Sequence, residues 1–223
     1  MRPRRRSKLE AKSEIWNFPD RILVDTSDYK TNNRPKLKNR LQDLIQQKRT
    51  HGKLYIEAGI GNGEFLNEIA KREPSGLFIG IELKEERIMD AIEEAIAKNI
   101  GNTVIMKISA AFLGEIFTEQ QIDTIFMNFP DPWPKKRHIK NRMTSRKFIQ
   151  VYETILKENG KFILKTDSEN MFKYTLEQLA ESAIKPVLSD VNLQNDGNNI
   201  QTQFERRYRK AEKSIFRIVA KKQ

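Results

Sequence analysis

The stretch KLYIEAGIGNGEFLNEIAKRE, residues 53–73, passes from an apolar run through a glycine-rich turn into a segment with helical spacing. The apolar run predicts a β-strand, and the later residues predict a helix that stops before Pro74. Gly59, Gly61 and Gly63 allow positive φ angles and a close approach of the backbone to a ligand. A strand, a glycine turn and a helix in this order predict a site for a nucleotide-like ligand.

The alternation of strands and helices continues along the rest of the chain. Six further apolar runs predict strands, at residues 76–83, 103–109, 124–129, 161–167, 185–193 and 215–222. Helical spacing is found over residues 35–50, 84–99, 145–159 and 169–182. Strands separated by single helices form a parallel sheet with helices on both faces. No helix is evident between the last two strands, so we expect an antiparallel edge. The predicted fold is α/β, Rossmann-like, with a seven-stranded, mostly parallel sheet.

Length and composition favour a single soluble domain. The 223 residues suit one α/β domain over residues 35–223, preceded by a basic arm over residues 1–34. No apolar run approaches the roughly 18–20 residues of a membrane span. The basic start is not followed by an apolar segment, so it does not resemble a secretory signal. The absence of cysteine excludes disulfides and thiolate chemistry. We therefore expect a cytoplasmic protein with no membrane association.

The charge of the chain points to a polyanionic partner. The formal net charge is +11, and basic residues concentrate at residues 2–12, 135–147 and 206–222. A single charge run is usually just a solvated surface, but three runs that could meet on one face favour a nucleic acid. No protein partner is evident from the sequence.

The predicted sheet places several polar residues on one rim. In open α/β sheets, ligands bind beyond the carboxyl ends of the strands. Glu57 and Glu82 close the first two predicted strands, and an acid in the position of Glu82 accepts hydrogen bonds from the ribose hydroxyls of an adenosine. Glu64 occupies the position where the dinucleotide fingerprint needs its third small residue. This spacing disfavours a nicotinamide dinucleotide.

A proline-rich loop, NFPDPWPKKRHIKNR at residues 128–142, follows the fourth predicted strand. Its three prolines fix their own φ angles, and each pushes the residue before it towards extended geometry. We therefore expect a stiff loop in which three residues are extended: Phe129, Asp131 and Trp133. A stiff loop that carries one acid suits a reaction that gains from alignment of the reacting groups.

These strings together resemble the tRNA (guanine-N7-)-methyltransferases. The resemblance rests on NFPDPWPKKRH, with IEAGIGNG, GIEL, KTDSENMF and TQFERRY in the same order over about residues 53–217, and on the MRPRRR start. It implies a class I S-adenosylmethionine methyltransferase fold, tRNA as the partner and S-adenosylmethionine as the methyl donor. The implied product is 7-methylguanosine at position 46, in the variable loop of tRNA.

The resemblance also implies roles for individual residues. Asp131 would be the catalytic acid. The cofactor would be bound by Glu57, Gly59, Gly61, Gly63, Glu82, Ser109, Asn128 and Asp131. The substrate would be bound by Lys135, Asp167, Thr202, Gln203, Phe204 and Glu205. The chain departs from the family in two places: Ser109 stands where an acid is common, and EKSI at residues 212–215 stands where G-x-P-I is common.

The chemistry of the guanine base agrees with a lone carboxylate. Its N7 already carries an in-plane lone pair, so no strong base is required. Asp131 can accept from N1–H and N2–H of the base, and its charge favours the cationic product. Phosphates would contact the basic residues, and three aromatic residues are available to stack on a base: Trp133, Phe204 and Tyr208.

Other interpretations stand beside these. Trp133 fits a core residue, Lys135 a solvated cation, and Asp167 a cap for a helix beginning near Ser168. His51 and His138 show no partner pattern for a metal, and we predict none. A non-catalytic RNA-binding protein on a methyltransferase fold and a nicotinamide-dependent reductase are the two alternative functions. An intact cofactor turn argues against the first, and Glu64 argues against the second.

Overall fold

The computed structural model describes residues 22–23, 34–48 and 52–223. Most of the expected basic arm over residues 1–34 lies outside this part of the chain, as do Arg4 to Arg6 and His51. The division into an arm and a domain over residues 35–223 therefore stays a prediction.

One sheet of eight strands forms the centre of the described structure. The strands are β1 (Ile22–Leu23), β2 (Leu54–Ala58), β3 (Leu77–Glu82), β4 (Thr103–Lys107), β5 (Ile122–Asn128), β6 (Leu156–Thr166), β7 (Ile184–Asp190) and β8 (Phe216–Lys222). Their order across the sheet is β1-β4-β3-β2-β5-β6-β8-β7. The seven strands expected from the sequence are all present. The two-residue strand β1, which pairs in parallel with β4, was not predicted.

Helices cover the sheet. They are α1 (Arg34–Lys48), α2 (Glu64–Arg72), α3 (Glu85–Ala97), α4 (Leu113–Ile116), α5 (Arg146–Ile155), α6 (Glu169–Ala180) and α7 (Gln203–Lys210), with short 3₁₀ helices at Ala110–Phe112 and Lys136–Asn141. The helix predicted over residues 145–159 ends early, at Ile155. The reason is that Leu156 already pairs with Ile122 of β5, and Asn159 takes a left-handed φ of +62° before the strand continues.

The carboxyl-terminal part forms the antiparallel edge that the sequence predicted. Strand β8 lies between β6 and β7 and is antiparallel to both. The expectation that no helix separates β7 from β8 was wrong, because α7 lies between them. Helix α7 is strongly charged and buries only Glu205, so it lacks the apolar stripe by which a helix is usually found in a sequence.

Two apolar clusters hold the sheet and its helices together. The larger cluster includes Leu37, Leu41 and Ile45 of α1, which confirms the amphipathic helix predicted there. Each fully buried leucine of this kind contributes about 1.5–3 kcal/mol relative to an exposed one. Because β2 is buried along its whole length, its carboxyl end is fixed where the glycine turn begins. None of the helices in the described ranges is both long enough and apolar enough to cross a bilayer.

Candidate active site

A cavity of about 400 Å³ opens at the carboxyl ends of β2, β3, β4 and β5. The sequence analysis predicted the site at this rim of the sheet. The cavity brings together ten of the residues expected to bind cofactor or substrate: Glu57, Gly59, Gly61, Glu82, Ser109, Asn128, Asp131, Thr202, Gln203 and Phe204.

The glycine turn leaves its backbone open to the cavity. Gly59, Gly61 and Gly63 have φ angles of +79°, +55° and +79°, which favour glycine. A Cβ on Gly61 would have no protein atom within 4 Å, so a ligand can approach this backbone closely. Gly63 does not line the cavity, and a Cβ there would lie 2.4 Å from the Cβ of Ala91. Gly63 therefore serves the packing of α2 against α3.

Glu57 is a buried carboxyl group at the end of β2. Only 2% of its surface is exposed, and its Oε1 accepts a hydrogen bond of 2.8 Å from Nδ2 of Asn128. Its Oε2 is buried and has no hydrogen-bond partner. Burial raises the pKa of Glu57 to about 8, against the opposing effects of Asn128 and Lys165. An unpartnered buried oxygen on a cavity wall fits a ligand that brings a donor or a positive charge.

Glu82 ends β3 on the opposite side of the turn. Its Oε2 accepts from the backbone N–H of Gly61 at 3.1 Å, and its Oε1 accepts from those of Leu83 at 2.7 Å and Lys84 at 3.1 Å. These bonds fix the carboxylate at the cavity wall. A carboxylate has about four acceptor positions, so one remains for a hydroxyl group of a ligand.

The proline-rich loop borders the cavity, but its backbone differs from the prediction. Phe129 and Trp133 were expected to be extended, and this is wrong, because their φ angles of +49° and +42° are left-handed. The N–H of Phe129 donates to the carbonyl of Lys165 at 2.8 Å, and Nε of Arg142 donates to the carbonyl of Pro132 at 2.7 Å. The first bond ties the loop to β6, and the second ties it to Arg142 further along the chain. Together they hold the left-handed conformations of Phe129 and Trp133, each of which costs about 1–3 kcal/mol.

Asp131 lies at the exposed tip of this loop and lines the cavity together with the glycine turn. The carboxylate is therefore neither buried nor separated from the glycine turn. The loop that carries it is pinned on both sides by the two hydrogen bonds just described, one from the backbone of Phe129 and one from the side chain of Arg142. The arrangement presents one anion to a molecule that enters the cavity from solvent.

Aromatic side chains also border the cavity, and Tyr208 lies next to two of them. The ring of Tyr208 lies 5.6 Å from that of Phe129 and 6.4 Å from that of Phe204. Phe204 is 44% exposed, which leaves a face for a planar ligand. Trp133 lines the cavity, and its ring meets His138 edge to face at 5.6 Å, so it is not a core residue.

Three expected substrate residues do not line the cavity. Lys135 is exposed on the loop. Asp167 forms a 2.9 Å ion pair with Lys213. The residue that caps the start of α6 is Ser168, not Asp167. Glu205 is fully buried in α7, and its side chain does not line the cavity.

Glu205 instead belongs to a buried network that the sequence analysis did not identify. Its carboxylate accepts from Nζ of Lys165 at 2.9 Å, Nδ2 of Asn199 at 2.6 Å and Nη2 of Arg209 at 2.8 Å. Burial alone would raise the pKa of Glu205, yet Lys165 and the other donors hold it below its usual value. Burial likewise lowers the pKa of Lys165, against the effect of Glu205. Lys165 lies inside the apolar run KFILKTD, and a charge in that position could have indicated a buried ion pair.

The two departures from the family pattern also have defined positions. Ser109 lines the cavity, and its Oγ accepts from the N–H of Ala111 at 3.3 Å, so it begins the 3₁₀ helix after β4. In the EKSI segment, Glu212 takes a φ of +55°, Lys213 reaches Asp167, and Ile215 is fully buried. This segment therefore connects α7 to β8 through a tight turn. Within residues 34–48 and 52–223, no three acidic or histidine side chains are arranged to hold a metal ion.

Comparisons with known proteins bear on the whole chain. A family model described as "Putative methyltransferase" matches residues 51–218. The chain is 38% identical over 172 residues to a tRNA (guanine-N(7)-)-methyltransferase of Macrococcus caseolyticus (strain JCSC5402), which covers 75% of this chain and 81% of that protein. It is 32% identical over 220 residues to a tRNA (guanine-N(7)-)-methyltransferase of Geobacillus kaustophilus (strain HTA426), over 97% of this chain and 96% of that one.

A solved structure of an antibiotic-related methyltransferase has the same architecture. Its TM-score is 0.63 at 19% identity, over 82% of this chain and 92% of that chain. At this identity the likeness concerns the fold alone, and it agrees with the Rossmann-like methyltransferase class predicted from the sequence.

Proposed function

The chain belongs to the tRNA (guanine-N7-)-methyltransferase family, and from this membership we propose that it transfers a methyl group from S-adenosylmethionine to N7 of the variable-loop guanine at tRNA position 46. The observation that carries the proposal is the exposed Asp131 on a pinned loop, in the wall of the same cavity as the glycine turn. Family membership gives no support to a nicotinamide-dependent reductase. The proposal includes a cytoplasmic location, where tRNA is found.

The cavity has groups that fit S-adenosylmethionine. When bound, this molecule supplies an electrophilic methyl group on a sulfonium. The unpartnered oxygen of Glu57 suits its cationic methionine end, and the remaining acceptor position of Glu82 suits a ribose hydroxyl. The open backbone at Gly61 allows the close approach that such a ligand needs. Ser109 and Asn128 also line the cavity, where Ser109 would border the adenine and Asn128 the methionine end.

Asp131 would orient the guanine and stabilise the charge that develops on it. Its carboxylate can accept from N1–H and N2–H of the base, so the ring is held with N7 directed into the cavity. No proton needs to leave N7 before attack, and the negative charge of Asp131 favours the positive charge that appears on the ring. The pinned loop limits the freedom of this carboxylate, and alignment of this kind contributes up to roughly 7–11 kcal/mol in favourable cases.

The rest of the RNA would lie across the exposed basic and aromatic groups. Phe204 and Tyr208 offer ring faces for a base that leaves its stack, and Thr202 with Gln203 borders the cavity. Lys135 is exposed on the same loop as Asp131 and is suited to a phosphate contact. Asp167 and Glu205, by contrast, are already ion-paired, so we assign them to the support of this surface.

Nucleoside mass spectrometry tests the reaction directly. Unmodified tRNA is incubated with the protein and S-adenosylmethionine that carries a labelled methyl group, and the digested nucleosides are analysed. We expect labelled 7-methylguanosine, and we expect none from a tRNA in which guanine 46 is replaced by adenine. Label in another nucleoside, or label that persists in the substituted tRNA, would contradict the assignment.

Cofactor binding is expected to release a proton from Glu57. Because its pKa in the free protein is about 8, Glu57 is mostly protonated at neutral pH, and a cationic ligand lowers that pKa. Affinity should therefore rise with pH, by up to about tenfold per unit below this value, and level off above it. Calorimetry at pH 7 in two buffers of different ionisation enthalpy measures how many protons are released when the cofactor binds. Glu57→Gln is the control, and equal proton release from that variant would contradict the role of Glu57.

The amino-terminal basic cluster is expected to contribute to tRNA affinity. Neutralising Arg4, Arg5 and Arg6 should weaken binding and reduce the log–log salt slope by roughly 0.7–0.9 for each phosphate that these arginines no longer neutralise. Filter binding at several salt concentrations measures this slope. A triple substitution of Lys71, Lys98 and Lys185, which lie outside the three basic clusters, is the matched control. An unchanged slope in the arginine variant would mean that the cluster does not contact the RNA.

A further inference from the structure

Glu64 joins two parts of the site that are 139 positions apart in the sequence. It is the first residue of α2, directly after the glycine turn, and it lines the cavity. Its Oε2 accepts from the backbone N–H of Gln203 at 2.6 Å, and its Oε1 accepts from Nη2 of Arg206 at 2.5 Å. The residue that departs from the dinucleotide fingerprint thus connects the cofactor turn to α7.

The hydrogen bond between Glu64 and Gln203 gives a partner to the first backbone N–H group of α7. Gln203 is the first residue of that helix, where backbone N–H groups have no partner within the helix and an anion is favoured. Arg206 extends the contact, since its Nη1 also donates to the carbonyl of Gln201 at 2.7 Å. Only 24% of the Glu64 side chain is accessible, so solvent screens the ion pair in part. The Glu64 carboxylate therefore bonds α7 at Gln203 and Arg206, and Arg206 in turn bonds Gln201 before the helix.

The contact between Glu64 and Arg206 lies at the edge of an open space. A second cavity, of about 360 Å³, lies beside it and includes both Glu64 and Arg206 in its wall. The ion pair between Glu64 and Arg206 therefore lies between this second cavity and the cavity at the glycine turn. On this side, the segment Thr202–Phe204 is held to the cofactor turn by polar bonds to Glu64.

We propose that Glu64 is a positioning residue that fixes the segment Thr202–Phe204 against the cofactor turn, so that the guanine and the methyl donor are held in register. This inference rests on the proposed function. Because methyl transfer depends on alignment, a loosened segment lowers turnover on tRNA without weakening cofactor binding. The expected result of losing Glu64 is therefore a lower kcat with a nearly unchanged cofactor Kd.

The test compares Glu64→Ala, Glu64→Gln and Arg206→Ala with a matched control. Glu68→Ala is the control, because Glu68 lies one turn further along the same helix and bonds Arg72 on the protein surface. Loss of a charge-assisted bond should lower kcat on tRNA by about tenfold or more in Glu64→Ala. Glu64→Gln should keep part of the activity, since its carboxamide oxygen can still accept from Gln203. Calorimetry measures the cofactor Kd of each variant.

Hydrogen exchange of residues 203–210 tests the contact independently of activity. Glu64→Ala should raise the exchange rate of these amides by about tenfold, and Glu68→Ala should not. Unchanged exchange, or a cofactor Kd that weakens as much as kcat falls, would overturn the proposal. If the wild-type protein does not methylate tRNA but exchange still depends on Glu64, the proposed function fails and the positioning contact stands.

Discussion

Replacing Asp131 with alanine is expected to lower the rate of methyl transfer to tRNA roughly 10²–10³-fold, a loss comparable to that of one preorganised electrostatic contact in an active site. The carboxylate lies at the exposed tip of its loop, and the bonds that pin the loop use backbone carbonyls and Arg142. The substitution should therefore leave the fold intact. Cofactor affinity should stay near that of the wild type, because Glu57 and Glu82 are untouched.

Single-turnover methylation with saturating cofactor measures this effect, and Asp131→Asn refines it. The asparagine can still accept one hydrogen bond from the base but brings no negative charge, so its rate should lie between those of the wild type and the alanine variant. Full activity in Asp131→Ala would remove this residue from the mechanism. A failure of the same variant to bind the cofactor would instead make Asp131 a cofactor ligand.

Replacing Glu205 with alanine is expected to lower the free energy of unfolding by about 3–5 kcal/mol, because Lys165 would be left buried without its carboxylate partner. Urea unfolding followed by circular dichroism measures this loss. Glu169→Ala is a matched control. Like Glu205, Glu169 is a helical residue that pairs with a lysine, but both side chains of its pair are exposed. Such exposed pairs contribute about 0–1 kcal/mol.

A double replacement, Lys165→Met with Glu205→Leu, separates the two possible causes of that loss. If an unpaired buried charge is responsible, the double variant should be more stable than Glu205→Ala, because no lone charge is then left inside. Equal instability in the double variant would contradict the argument. It would point instead to the bonds that Asn199 and Arg209 make with the carboxylate.

Local patterns were enough to predict the sheet and most of the cavity wall. The apolar run before Gly59 and the alternation that follows it require a parallel sheet, and the carboxyl ends of its strands then bring Glu57, Glu82 and Asp131 to one rim. These residues lie near strand ends, so their positions follow from the order of the elements.

Features that depend on partners distant in the sequence were missed. The left-handed φ of Phe129 arises from a bond to β6, and the burial of Glu205 arises from Lys165, which lies 40 positions earlier. Helix α7 has no apolar stripe, since polar bonds rather than apolar packing hold it. A window of neighbouring residues contains none of this information, because each feature depends on how the sheet is closed.

The place of β8 between β6 and β7 has a consequence for how the protein is made. Strand β7 is synthesised before β8, yet in the described sheet it pairs only with β8, so it has no partner strand until β8 has paired with β6. Helix α7 precedes β8 and bonds to earlier elements, through Glu205 to Lys165 of β6 and through Gln203 to Glu64 of α2, so these contacts do not require β8. Strand β7 should therefore be the last of these strands to join the sheet during folding.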